Sequence, residues 1–153
     1  MALLDIVIHP DPILRQQTVP VTVFGKALSR FVNDMYQTKD AVNGIGLAAP
    51  QVGRLDAVFV IGVNTHKKAY INPEIMWNST EIGPYDEGCL SIPNITVLIE
   101  RPKSIKIKAQ DVDGNTFEET LNGLLATVFQ HEFDHLNGIL IVDHGTPRPI
   151  PVK

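Results

Sequence analysis

Gln130-His131-Glu132-Phe133-Asp134-His135-Leu136 carries two histidines four residues apart, with a glutamate directly after the first, inside an apolar run that begins at Leu121. At about 3.6 residues per turn the two imidazoles fall one turn apart on the same helix face, where both can reach a single metal ion. Glu132 is rotated by about 100° from His131, so it can reach a water in the ion's open position without itself being a ligand. Asn122-Gly123 opens the predicted helix and Asn137-Gly138 closes it. Leu124, Leu125, Val128 and Phe129 give it an apolar face that needs burial. Two histidines also occur on helices as plain solvated or core residues. Two ligands, moreover, do not complete a catalytic zinc-like site, which takes three protein ligands and keeps one position open.

Upstream of that helix the pattern is mostly strand. Ser104–Ala109 alternates apolar residues with lysines, Asp113-Gly114 marks a hairpin turn, and Thr116–Thr120 is the returning strand. The lysines are read as the wet face of the pair. Val97–Ile99, Ala57–Ile61 and Ala69–Pro73 are further strands, with Asn64–Lys68 as a polar turn in which His66 is solvated. Leu28, Phe31, Val32, Met35 and Tyr36 recur at spacings of three and four, which predicts an amphipathic helix from Gly25 to about Val42. Leu3–Ile8 is apolar and β-prone. Asp11 can cap a short helix with Pro12 at its first position. The tail 145–153 has proline at alternate places and is extended or disordered, never helical. These elements predict an α+β fold in which antiparallel strands pack around a central metal-binding helix, with residues 1–144 as one domain.

With 153 residues the chain is long enough to bury a core without disulfides. A net charge of -4 argues against broad attraction to nucleic acid or anionic membrane. The single cysteine excludes an intrachain disulfide framework and suits a reducing compartment. No apolar run is long enough to span a bilayer, and the N-terminus shows neither signal nor transit character, so a cytoplasmic location is expected.

Two low-bulk stretches stand out. Asn43-Gly44-Ile45-Gly46-Leu47-Ala48-Ala49-Pro50-Gln51 lets a backbone approach a ligand or another strand closely, although a tight turn followed by a packed strand explains it as well. Glu87-Gly88-Cys89-Leu90-Ser91 holds the only cysteine on a segment framed by Pro84 and Pro93. A lone cysteine is by default a small buried hydrophobe. For a third ligand the chain offers Cys89, His144, Asp134 and the remaining acids. A thiolate with two imidazoles is a sound set for a borderline divalent ion.

The segments Gly44–Gln51, Glu87–Ser91 and Gln130–His135 resemble, in order and spacing, the three signature motifs of peptide deformylase, and the likeness runs from about Ile6 to Asp143. The resemblance implies hydrolysis of the formyl group from the N-terminal formyl-methionine of new polypeptides. It implies one divalent ion on Cys89, His131 and His135, with Fe(II) expected in the cell and Zn, Ni or Co in a purified sample. It makes Glu132 the proton carrier, and Gln51 and the backbone of Leu90 the donors to the formyl oxygen. Ile45, Gly46, Gly88, Leu124, Thr127 and Val128 would receive the methionine and the peptide backbone. The partner implied is an N-formyl-methionyl peptide, and a monomer is expected. Many bacterial members continue into a C-terminal helix that this chain replaces with its proline-rich tail, which argues against ribosome docking by that route and fits a streamlined or virus-encoded member. Several members also place an arginine where this chain has Thr96.

Two rival readings stay open. HExxH also marks zinc metallopeptidases, whose third ligand lies downstream, where His144 is the only histidine. A closed structural metal site or a formyl-methionine binding module would need no general base, and Glu132 speaks against both.

Overall fold

The run Val58-Phe59-Val60-Ile61 is buried on both of its faces. Side chains alternate across a strand, so an unbroken apolar run needs a covering layer on each side. The computed structural model describes residues 3–150 and supplies both layers. In chain order the elements are α1 (Lys26–Ala41), β1 (Gly46–Ala48), β2 (Val58–Val63), β3 (His66–Asn78), β4 (Ile82–Cys89), β5 (Ile92–Pro102), β6 (Ser104–Gln110), β7 (Thr116–Asn122), α2 (Leu124–Leu136) and β8 (Arg148–Pro149). Short 3-10 turns occupy Pro12–Arg15, Ala49–Val52 and Ile141–Asp143. Val58 and Val60 pack with Leu28, Phe31, Val32 and Met35 of α1, whereas Phe59 and Ile61 pack with Ala126, Phe129 and Leu136 of α2. The sheet therefore lies between the two helices.

One sheet has the order β1-β2-β3-β6-β7 and the other β4-β5-β8. Within these two sheets each strand pairing is antiparallel, and a lone parallel bridge joins Val19 to Asp56. The β6–β7 hairpin turns where Asp113-Gly114 predicts: Asp111 Oδ1 accepts from the N–H groups of Asp113 and Asn115, and Gly114 takes φ of 86°. Lys106 on its exposed face pairs with Glu118. Asp11 caps the first 3-10 turn by accepting from Ile13 N, as expected from Asp-Pro. No described helix is long and apolar enough to cross a membrane.

Three local expectations are corrected. Leu3–Ile8 joins neither sheet; it runs past the second 3-10 turn, held by Val7 N donating to Gln51 O at 2.7 Å. Asn64–Lys68 is a turn only at its start, because β3 begins at His66, which is half-buried with Nε2 3.0 Å from the Tyr70 hydroxyl. Tyr70 is itself buried and donates to Glu119, so His66 has a polar partner within the fold. The tail is extended where it is described: Arg148–Pro149 pairs with Ile95 and Thr96 of β5 and covers that edge. Residues 151–153 lie outside the described residues.

Candidate metal centre

Helix α2 ends in a Schellman arrangement. Gly138 N donates to His135 O at 3.2 Å and Ile139 N to Asp134 O at 2.9 Å, with Gly138 at φ of 72°. A side chain at Gly138 would meet Arg15 O at 2.5 Å, so the helix stop and the N-terminal turn are fitted to each other. The ligand face is thus fixed at its C-terminal end. Its partner comes from the end of β4, where a register shift between Glu87 and Cys89 interrupts the ladder. Bulges of this kind re-aim a side chain.

Cys89 Sγ lies 3.3 Å from His135 Nε2, and the ligand atoms of Cys89, His131 and His135 all fall within 4.8 Å of one another. Metal–ligand bonds of about 2.0–2.3 Å place the ligands of one tetrahedral ion at such spacings. His135 and Glu132 are buried, and Glu132 Oε1 is a buried oxygen with no protein hydrogen-bond partner, as is the His135 Nδ1 nitrogen. A carboxylate oxygen left unpaired in a buried site is costly, and it fits a site that receives an ion and its water. Asp134 and His144, the other candidates for third ligand, are engaged with each other at 2.9 Å.

A second set of side chains holds the first. Glu87 Oε1 lies 2.9 Å from His131 Nδ1, which leaves Nε2 for a cation. Arg101, buried, grips Glu87 through Nε at 2.6 Å and Nη2 at 3.0 Å, and donates from Nη1 to Asp134 at 2.9 Å. Burial would raise the Glu87 pKa, but hydrogen bonds and charge from His131 and Arg101 outweigh it and hold the carboxyl below its ordinary range. His131 shows the complementary balance. Burial lowers its pKa, and the charge of Glu132 with the contacts to Cys89 and Glu87 raises it well above the usual value. Burial, aided by the charges of His131 and Arg101, pushes His135 well below it. Arg101 escapes sequence reasoning, because a single arginine in a strand carries no local signal. Replacing Glu87 with Gln is expected to lower affinity for a divalent metal roughly 10- to 100-fold, read by competition with a chromophoric chelator.

Gln51, buried in the second 3-10 turn, is oriented at both ends of its amide. Oε1 accepts from Ala48 N at 2.9 Å, while Nε2 donates to Ser91 Oγ at 3.2 Å and lies 3.6 Å from Cys89 Sγ. Leu90 follows Cys89 directly, in the turn between β4 and β5. A cleft of about 320 Å³ opens here. Ile45, Gly46, Gly88, Thr127 and Val128 line it as expected, together with Gln51, Leu90, His131 and Glu132. Leu124, the first residue of α2, is 37% exposed and does not line the cavity. Asn43 and Gly44, from the low-bulk stretch, line it as well, and so does Tyr85, which the sequence reading did not assign to the site. Tyr85 was legible in principle, two residues before Glu87 on one strand and hence on the same face. A wider hollow of about 620 Å³ beside α1 contains no histidine, cysteine or glutamate, so the smaller cleft is the chemical one.

Gly46 is needed for space. A Cβ there would stand 2.5 Å from Glu132 Oε2. Gly46→Ala is expected to push the carboxylate aside and lower kcat by up to about 10²-fold, the scale of an ångström-sized misplacement, with metal content unchanged; steady-state kinetics with metal analysis checks it.

The family profile described as polypeptide deformylase matches residues 3–149. A curated peptide deformylase of Thermotoga neapolitana is 50% identical over 137 residues, covering 90% of this chain and 84% of that protein. One from Cellvibrio japonicus is 48% identical over 150 residues, covering 96% of this chain and 89% of its own. The crystal structure of peptide deformylase from Thermotoga maritima superposes with a TM-score of 0.94 at 46% identity, covering 96% of this chain and all of that one (100%).

Proposed function

The chain belongs to the polypeptide deformylase family, and from that membership we propose that Cys89, His131 and His135 hold its metal ion while Glu132, Gln51 and the Leu90 N–H act on the substrate. The enzyme is a metal-dependent hydrolase that deformylates newly made polypeptides. The observation that carries the residue assignment is the approach of Cys89 Sγ to the two imidazoles beside the unpaired Glu132 oxygen.

When bound, a divalent cation acidifies a water and polarises the formyl carbonyl. Glu132 takes a proton from the attacking water. Burial pushes its carboxyl up to about 7, the charge of His131 working against that rise, so its proton affinity suits a group that accepts and donates near neutrality. As the water oxygen bonds to the formyl carbon, negative charge gathers on the formyl oxygen. Gln51 Nε2 and the Leu90 N–H donate to that oxygen, each such donor contributing roughly 10²–10³ in rate. Glu132 then delivers its proton to the departing nitrogen, the C–N bond breaks, and formate and a free amine leave.

Pairing at β1 supports a strand-like mode of peptide binding. Gly62 N donates to Ile45 O at 2.9 Å, and opposed residues in an antiparallel ladder alternate between bonded and unbonded pairs. Gly46, opposite Ile61, is next in that alternation, so its N–H and C=O turn to the open edge, where a peptide main chain can pair. The methionine side chain enters the cleft among Ile45, Gly88, Thr127 and Val128, with Tyr85 beyond Glu87. We take residues 1–144 as the catalytic domain; of the segment after it, Arg148–Pro149 pairs along β5. Family membership is the ground for proposing Fe(II) in the cell; the thiolate and imidazole set also suits Zn, Ni or Co in purified protein. Formate release from a formyl-Met-Ala peptide by the metal-loaded protein tests the proposal; absence of release would sink it.

A further inference from the structure

Lys39 sits in the last turn of α1 and is 4% exposed. A lysine there can favour the helix dipole from solvent, but this one is folded inward, where an ammonium is costly and an apolar chain of similar length would fill the space. Its contacts converge on one residue of the cleft wall. Lys39 O accepts from Gly44 N at 2.9 Å, and Lys39 Nζ donates to Gly44 O at 3.3 Å, so both main-chain polar groups of Gly44 are held by a single side chain and its own backbone. Asp40 Oδ1 lies 2.6 Å from the ammonium and balances its charge. Room for it is made by Gly62, where a Cβ would stand 2.7 Å from Nζ. On its other side Gly44 abuts Leu90: a Cβ at Gly44 would stand 2.9 Å from Leu90 Cδ1 and 3.4 Å from Lys39 Cγ.

We infer that Lys39 is a positioning residue for peptide binding, clamping Gly44 so that Gly46, two residues on, presents a fixed main-chain edge to the substrate. The chemistry is unaffected by the clamp, since Lys39 touches neither Glu132 nor the three metal-binding side chains. Without it the edge must be ordered anew each time a peptide binds, which weakens substrate and transition state alike. Loss of such uniform binding raises KM and leaves kcat in place. The inference rests on reading the cleft as a peptide site.

The test is steady-state kinetics of the metal-loaded enzyme with formyl-Met-Ala-Ser. Lys39→Met keeps the apolar stem and removes the ammonium; KM is expected to rise roughly three- to tenfold, as for loss of a charged hydrogen bond acting indirectly, with kcat within about twofold. Gly62→Ala, which crowds Nζ away from Gly44, is expected to shift KM in the same direction and decides the matter should the Lys39 variant fail to fold. A KM unmoved in both variants, even with a lowered melting temperature, would reduce Lys39 to a structural residue and overturn the inference. So would a fall in kcat at constant KM. If the unaltered enzyme releases no formate, the reading of the cleft fails and takes the inference with it; full turnover with an indifferent KM removes the role of Lys39 alone.

Discussion

Glu132→Gln is expected to lower formate release from a formyl-Met peptide roughly 10²–10⁴-fold, the range over which a positioned acid–base group acts, while metal content stays unchanged. Gln preserves size and keeps an oxygen near the position of the buried carboxylate but cannot carry the proton from water to the leaving nitrogen. Glu132 is 4% exposed, and its Oε1 has no protein partner, so no neighbouring side chain is poised to take over the transfer. Gln51, an amide, does not shuttle protons, and Glu87 is engaged by His131 and Arg101. A variant that keeps more than about a tenth of the wild-type rate would remove Glu132 from proton transfer.

Cys89→Ala is expected to abolish stoichiometric metal binding, and activity with it. The loss should exceed the roughly 10- to 100-fold typical when an outer partner of a ligand is removed, because two imidazoles one helix turn apart then remain alone. His144→Ala is the companion variant. Its Nε2 lies 2.9 Å from Asp134 Oδ2, outside the Cys89–His131–His135 cluster, so metal should be retained. The opposite pair of outcomes, with metal kept in Cys89→Ala and lost in His144→Ala, would favour a metallopeptidase-like ligand set. Metal analysis of both proteins after gel filtration separates the two.

What the sequence discloses here follows the range of the forces involved. Periodicity places α1 and α2 to within a residue or two, because a helix face is written every three or four positions. The Asp-Gly turn between β6 and β7 is equally local. His131, Glu132 and His135 are legible together for the same reason, lying within one turn and a half of a single helix. Cys89 is different: 46 positions separate it from His135, and only the recognised motif linked them before the strands were seen to pair. Arg101 has no motif at all, and its importance appears only once β5 is laid beside β4 and α2 so that one guanidinium meets Glu87 and Asp134. Lys39 was hidden by its type, since a lysine late in an amphipathic helix reads as part of the wet face, and its burial depends on the glycine at position 62. His66 was misjudged in the same way, its buried partner Tyr70 lying on the strand that the predicted turn had cut short.

The central claim is that one sulfur and two ring nitrogens, brought together from β4 and α2, hold the single cation on which hydrolysis depends. Titrating the metal-free enzyme with Co(II) tests it most directly, following thiolate-to-cobalt charge transfer in the near ultraviolet and formate release in the same samples. Both signals are expected to rise together and saturate at one ion per chain. Formate release without metal, or saturation with no thiolate band, would contradict it.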